Sequence, residues 1–433
     1  MLGLTLALDL AKLGQRVTLY EAGSEVGGLS SATTFGSLRW DRFYHCVLPS
    51  DRALLALFDE LGLGGELRWR RVYTGVYLNA AIRPFDGALD LLRLPRLGLI
   101  PKLRIGLLAA RGGGRSSDAE LDDTTALAWL RRRCGSAAVE RFWAHLLRCK
   151  LGEASEQVAA RFLHTTIARL RSARGVAGAG ERLGHVAGGY RVVLQRLRAT
   201  LAERGVEVLT GQTVVGIAGD GDSAVVTTAD RRAVHSGCVL TAPNPVIAGL
   251  VVGLDADTAR ALAATPYLGV ACTVAVGASS LSRNYLLNLC DPGFRITGVV
   301  EMSNLARPER DAAPHSLVYL PRYAPSDAAC LRRDEGELID DALADLRRVA
   351  PATADGWCRH VELQRARLVQ PLPFAGAPVL RAPERRLGAA PIFAVNSSQL
   401  PSCVLNNNDI VTLAHRAASG IAAAIAAQAS ERR

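Results

Sequence analysis

Residues 1–31 read MLGLTLALDLAKLGQRVTLYEAGSEVGGLSS, and the order of elements within them decides the fold. Leu4 to Leu13 carries apolar residues at helical spacing and stops at Gly14, and VTLYE after it reads as a short buried strand. A helix that feeds such a strand is the second half of a βαβ unit. A strand and a glycine-rich turn normally come first, and the turn meets a helix N-terminus whose free N–H groups and dipole favour an anion. Gly3 stands where the last glycine of G-x-G-x-x-G lets helix and sheet pack closely. Glu21, 18 residues on, closes the second strand, where a carboxylate accepts hydrogen bonds from ribose hydroxyls.

The loop after Glu21 adds a glycine pair, Gly27-Gly28, whose bare backbone lets a pyrophosphate come close to amide N–H groups. A unit that binds only a nicotinamide dinucleotide has no need of this second loop. With E-A-G-S-E-V-G-G-L-S-S in place, the sequence resembles the FAD-dependent amine oxidase superfamily, which includes monoamine oxidases, protoporphyrinogen oxidases, phytoene-desaturase-like enzymes and the related UDP-galactopyranose mutases.

The resemblance spans nearly the whole chain. HVAGGYRVVLQRLRATLAERGVEVLTGQTVVGI matches the family's glycine-rich stretch, helix and return strand, and CVLTAPNP matches the strand that enters a proline loop at Thr241, Ala242 and Pro243. The end, IFAVN, then SSQLPSCVLNNND, then DIVTLAHRAASGIAAAIAA, matches the strand, flavin loop and helix, but Asn396-Ser397 stands where Gly-Asp is common. YLLNLCDPGFRITGVVEMSN and LVYLPRY are similar to a bacterial branch of the superfamily.

The resemblance implies an α/β fold, a Rossmann-like FAD-binding domain of the glutathione-reductase type with a discontinuous α+β substrate domain. The expected FAD-binding domain is 1–75, 186–250 and 386–433, sharing one parallel sheet; the substrate domain is 76–185 and 251–385, with an antiparallel or mixed sheet. FAD is the implied cofactor. Its implied contacts are Gly3, Glu21, Ala22, Gly27, Gly28, Leu29 and Ser30 at the dinucleotide end, Val214 or Val215 at the adenine, and Asn396, Ser397, Asn407 and Asn408 at the ribityl chain or flavin, with a helix from about Asp409 aimed at the ring. Family members hold a lysine through water near flavin N5, which makes Lys150 in LLRCKLG a catalytic candidate beside His45 and Tyr323. Asp41, Tyr285 and Arg322 are further candidates for the flavin or substrate side.

The 433-residue chain is long enough for two domains, and its composition, 49% hydrophobic and 21% charged, is that of a folded protein. The net charge of +10 is carried by arginine, since only Lys12, Lys102 and Lys150 are lysines, and reads as a solvated surface, with no nucleic-acid partner expected. Nine cysteines are scattered without C-x-x-C spacing, so no metal site is expected, and the pattern favours a reducing, cytoplasmic compartment. His45 and Cys46, neighbours on an expected strand, should face opposite ways. No signal-peptide pattern opens the chain.

Two stretches bear on membranes. Residues 261–282 form the longest uncharged run, but Pro266 and interior glycines favour a buried strand over a span. Residues 91–111, LLRLPRLGLIPKLRIGLLAAR, interleave basic and apolar residues with no acid. They are either short helices covering the core with arginines outward, or a cationic amphipathic surface for a membrane or for a greasy substrate entrance. Elsewhere the pattern predicts helices over DRALLALFDELGL, over much of 122–173, over 191–204 and over 335–349, and a hairpin at RRVYTGVYLNAAIRPF turning near Asn79.

The expected reaction is hydride removal from a C–H bond of a hydrophobic or amine small molecule. The alternatives are a flavin-dependent sugar-nucleotide mutase or isomerase without net redox, and a truncated or degenerate flavoprotein without catalysis. The opening of the chain also raises the expectation that the first strand and two glycines lie upstream of the 433 residues and that FAD binding without them is weak.

Overall fold

The computed structural model describes all residues except 96, 174–180, 307–315, 354–355, 378–381, 383 and 431–433. Arg96 of the basic stretch and the first part of the expected glycine-rich connector lie outside the described residues. The chain opens on the helix Leu2–Lys12, which is buried nearly all round, as expected of a helix apolar on every face. Leu4, Ala7 and Leu8 pack with Val193, Leu197 and Leu201 of the helix Tyr190–Glu203. Leu2, Leu6 and Leu10 pack with Phe393, Val395, Ala414 and Ala417, so the last helix, Asn407–Ser430, covers the other side. At that contact His415 Nδ1 meets Asp9 Oδ2 at 2.6 Å.

The α/β reading holds, but the single parallel sheet does not. Thr18–Tyr20 pairs in parallel with Glu207–Leu209, and Cys238–Leu240 pairs in parallel with Ile392–Ala394, which also takes Arg385–Arg386. Among the described residues no strand hydrogen-bonds one pair to the other. The two pairs are held in one unit by side-chain packing on opposite faces of the first helix.

The second layer is a seven-stranded mixed sheet in the order Cys358–Pro371, Tyr267–Gly277, Ser316–Pro325, Gly298–Glu301, Leu286–Leu289, Thr74–Tyr77 and Ile82–Pro84. Tyr267–Gly277 is buried at every position and lies between two strands, which accounts for its uncharged sequence without a membrane. The hairpin turn falls at Asn79 and Ala80, both at positive φ, with their N–H groups donated to Asp291. Part of the expected connector is a strand, Glu181–Val186, paired with Leu67–Val72. Glycine-rich sequence concealed it, because its backbone partner lies more than a hundred residues away.

Helices from Ala88 to Ala173 cap this sheet. Thr125 caps Ala126–Cys134 by accepting from Ala128 N, and Gly135 at φ +87° ends it. Asn407–Ala427 is long and apolar enough to cross a membrane, but Ile410, Val411, Leu413, Ala417 and Ile421 are spent on the core.

Gly152 is where the helical cap meets the sheet. It has φ +58°, and a Cβ there would lie 2.4 Å from the carbonyl oxygen of Tyr323. Gly62 has φ +69° and open space around it. Gly152→Ala is therefore expected to cost more than about 3 kcal/mol, strain plus clash, against about 1 kcal/mol for Gly62→Ala. Denaturant midpoints of the two variants provide the comparison.

Candidate functional site

One large cavity, of about 690 Å³, runs between the two layers. Its first end is built from the opening stretch. The strand Thr18–Tyr20 delivers Glu21, which lines the cavity and whose Oε1 accepts from Gly23 N at 2.8 Å. Gly27 has φ +132°, and a Cβ on it would strike Leu194 Cδ1 at 2.5 Å. Gly28, at φ +57°, begins the turn Gly28–Ser30. Gly3 lies against Thr241, where a Cβ would sit 3.2 Å from the hydroxyl. Gly3, Glu21, Gly27, Gly28, Leu29 and Ser30 all line this end. A carboxylate, bare loop backbone and a helix N-terminus fit the ribose and pyrophosphate of FAD.

Three of the contacts expected at the dinucleotide and adenine end lie elsewhere. Ala22 is exposed on the loop and is not part of the cavity wall. Val214 and Val215 begin a separate antiparallel sheet, Val215 exposed and Val214 packed beside Ile217 and Leu387. The chain reaches Glu21 earlier, where Gly211 N donates to Gly23 O and Gln212 N to Glu21 O. A sharp turn there separates the return strand from the valines.

The far end of this half comes from the C-terminal loop. Asn396, Ser397 and Asn407 line the cavity, joined by Asn406 and Ile410. The last helix starts at Asn407, with Asn407 and Ile410 in the cavity wall and Asn406 Oδ1 accepting from Asp409 N in its first turn. Asn396 is buried and committed: its Nδ2 donates to Ala242 O and Asn244 Oδ1, and its Oδ1 accepts from Ser398. It braces the proline loop, so the expected ribityl contact from its side chain is replaced by a structural role. Asn408 points away, its Oδ1 accepting from Ala53 N and Leu54 N at the start of Arg52–Glu60.

The opposite half of the cavity is greasier. Tyr44 and Tyr323 share a hydrogen bond of 2.9 Å, and burial pushes the Tyr323 phenol up to about 12 and Tyr44 well above its ordinary value. Both are neutral at physiological pH, and within the pair one hydroxyl donates to the other. Tyr285 joins them in the wall. Arg322 does not: alternation on Ser316–Pro325 turns it to the other face, 3.6 Å from Asp341. Asp41 also lies outside the wall, holding Tyr190 N at 2.8 Å.

His45 lines the cavity with its Nε2 3.4 Å from Ser30 Oγ. Cys46 lines it too, because residues 42–46 are irregular and strand alternation does not apply. Burial raises the Cys46 thiol to about 11, so it is no nucleophile at neutral pH.

Lys150 projects from the helix Ala144–Leu151 into the cavity. Its surface is exposed to that interior space, and enclosure by protein, with Arg169 nearby, lowers its pKa. Sequence reasoning passed over Arg169, Glu181, Thr166, Leu268 and Gln370, all in the wall. They sit in a helix or strands whose patterns record burial, and only the fold turns them toward one space. The described residues hold no cluster suited to a metal ion.

Glu21→Ala removes a charge-assisted acceptor from the dinucleotide end, and FAD affinity is expected to fall by about 1.5–3 kcal/mol. Asn408→Ala uncaps a helix and is expected to lower stability by about 1 kcal/mol while leaving FAD affinity unchanged. Flavin titration and denaturation of both variants separate the two roles.

The model of the family described as flavin containing amine oxidoreductase matches residues 2–379. A Mycobacterium tuberculosis protein named as a flavin-containing monoamine oxidase is 26% identical over 256 residues, 56% of this chain and 55% of that protein. The chain thus spans about half the length of the curated relatives it matches. Wild-type putrescine oxidase bound to putrescine superposes with a TM-score of 0.74 at 18% identity, covering 98% of this chain and 97% of that one. Reduced UDP-galactopyranose mutase superposes with a TM-score of 0.68 at 15% identity, over 87% of this chain and 81% of that one. At such identities the likeness is one of fold, shared by an oxidase and a mutase. With the family's model matched across most of its length, the chain belongs to the flavin-containing amine oxidoreductase family.

Proposed function

We propose that the chain is an FAD-dependent oxidoreductase that takes a hydride from a C–H bond of a hydrophobic or amine small molecule. The observation that carries this reading is the single cavity that joins the Glu21–Gly28 end to an apolar chamber floored by the mixed sheet. FAD, when bound, supplies the hydride acceptor. Gly3, Glu21, Gly27, Gly28, Leu29 and Ser30 hold its dinucleotide end, and Ser397, Asn407 and the last helix's N-terminus face its other end. Residues 1–75, 186–250 and 386–433 serve the cofactor; 76–185 and 251–385 build the substrate chamber.

The chain's own groups orient the substrate and keep water out. Leu268, Val270, Leu286 and Val300 line the chamber, and the neutral Tyr44–Tyr323 pair offers a fixed O–H without introducing charge. Lys150, in the wall with Arg169, is available to position a polar group or water at the reacting end. Mixing FAD-loaded protein anaerobically with candidate amines and apolar alcohols, and following flavin bleaching, is the test. Net reduction by one such class upholds the reading. A sugar nucleotide that is isomerised with no net reduction, while every oxidisable candidate leaves the flavin unbleached, overturns it.

The reading includes a cytoplasmic protein in peripheral contact with a membrane. Leu91, Ile105 and Leu108 turn into the core, but Leu89, Leu92, Leu99, Ile100, Leu103 and Leu107 are exposed on Ala88–Arg93 and Leu99–Ala110. These six are nearly half of the thirteen large exposed hydrophobics among the described residues. Arg93, Lys102, Arg104 and Arg111 accompany them with no acid from 91 to 111, a pairing suited to an anionic lipid surface. Co-flotation with phosphatidylcholine–phosphatidylglycerol vesicles is expected, weakened by added salt and lost on replacing Leu99, Ile100, Leu103 and Leu107 with serine. Absence of flotation for the unaltered protein removes the membrane from the reading.

A further inference from the structure

Three exposed arginines meet at one edge of the mixed sheet. Arg71 lies on Leu67–Val72 and Arg283 just before Leu286–Leu289, and their guanidinium carbons are 5.3 and 4.8 Å from the centroid of one ring, that of Tyr73. Arg182 stands directly opposite Arg71 in the antiparallel pairing of Leu67–Val72 with Glu181–Val186. Arg71, Arg182 and Arg283 are all exposed, and among the described residues none of them forms an ion pair. The acids at this edge serve other donors. Asp86 accepts from Thr74 N, Asp90 from Asp86 N and Glu181 from Thr74 Oγ1, while Glu301 accepts from Leu281 N, Ser282 N and Ser316 Oγ.

Like charges directly opposite on paired strands are destabilising, and two cations on one ring repel each other. Attraction to the ring face offsets part of that cost. A phosphate offsets more, because its oxygens accept forked hydrogen bonds from guanidinium groups.

The topology sets this edge beside the exposed leucines. Thr74–Tyr77 and Leu286–Leu289 run parallel with Thr74 opposite Leu286, so Tyr73 and Arg283 emerge at the same end. Ile82–Pro84 runs back to that end, with Gly75 opposite Pro84 and Phe85 N donating to Thr74 O. The helix Ala88–Arg93 begins there, with Leu89 67% and Leu92 44% exposed. Tyr73 itself is half-buried, an apolar ring with a polar tip of the kind found where membrane meets water.

We propose that Arg71, Arg182 and Arg283 form the headgroup site of the membrane contact, taking the phosphate of an anionic lipid while the neighbouring leucines enter the acyl layer. This rests on the reading of Ala88–Arg93 and Leu99–Ala110 as facing a membrane. A polyanion in water answers the arginines alone; an anionic bilayer answers the arginines and the leucines together.

The test is co-flotation of the full chain with phosphatidylcholine–phosphatidylglycerol vesicles. The unaltered protein is compared with Arg71→Gln/Arg283→Gln and with Arg196→Gln/Arg198→Gln, which removes the same charge from exposed positions on Tyr190–Glu203. The first double variant is expected to bind about tenfold or more weaker, the second within about twofold of the unaltered protein. Unchanged flotation of the first, or equal weakening of both, overturns the headgroup site and leaves the membrane reading standing. Absence of flotation for the unaltered protein overturns both. Binding of a short labelled single-stranded RNA that only the first variant loses, with flotation unchanged, assigns the edge to nucleic acid and overturns the proposal.

Discussion

Asp41 is the residue on which the two layers are hung. It ends the strand Leu38–Asp41 that follows the glycine loop, and it is almost wholly buried. Its Oδ1 accepts from Tyr190 N, capping the helix Tyr190–Glu203 from outside that helix. Its backbone carbonyl accepts from Tyr319 Oη in the middle of the mixed sheet. The approach of Oδ1 is possible only because Gly189 has no side chain; a Cβ there would lie 2.7 Å from it. A buried carboxylate without such partners is costly. Cofactor loop, return helix and substrate sheet are therefore held to one another at a single point. His45, 3.7 Å from the other carboxylate oxygen, is held beside the same point.

The consequence for chemistry is a cavity whose two ends differ in kind. At one end the groups are backbone N–H, a carboxylate and helix N-termini, all suited to phosphate and ribose. At the other end burial governs the titrating groups. Tyr44, Tyr285 and Tyr323 are held neutral and Cys46 is held as a thiol. Among the described residues the lysine and arginine in the wall are Lys150 and Arg169, and Arg169 is paired with Asp51. That contrast orients a ligand along the cavity. It also keeps the Cys46 thiol protonated at neutral pH.

Much of this was legible in the sequence where one residue type answers one local need. Gly27 and Gly28 are legible because bare backbone admits a pyrophosphate, and in the structure both have positive φ and line the cavity. Glu21 was named from its place at a strand end. Local signals also located the Asn79 turn and the helix Glu335–Val349. Readings that required a side-chain direction failed more often. His45 and Cys46 were set on opposite faces on the assumption of a strand, Asn408 was turned toward the flavin by resemblance, and Arg322 was grouped with Tyr323 although strand geometry separates them.

The class of fold, and the gathering of Glu21, Gly27 and Gly28 at one end of the cavity, could be read from the chain alone, because periodicity, glycine placement and strand-end charge are properties of consecutive residues. The chain alone also shows that 91–111 is basic and apolar together. Only the tertiary structure decided that the leucines there face outward, that the expected single sheet is two parallel pairs clamped on the first helix, and that Arg169 and Lys150 share a wall. Those outcomes depend on which elements pack face to face. Packing is a sum of many weak contacts between distant segments, and no local pattern records it.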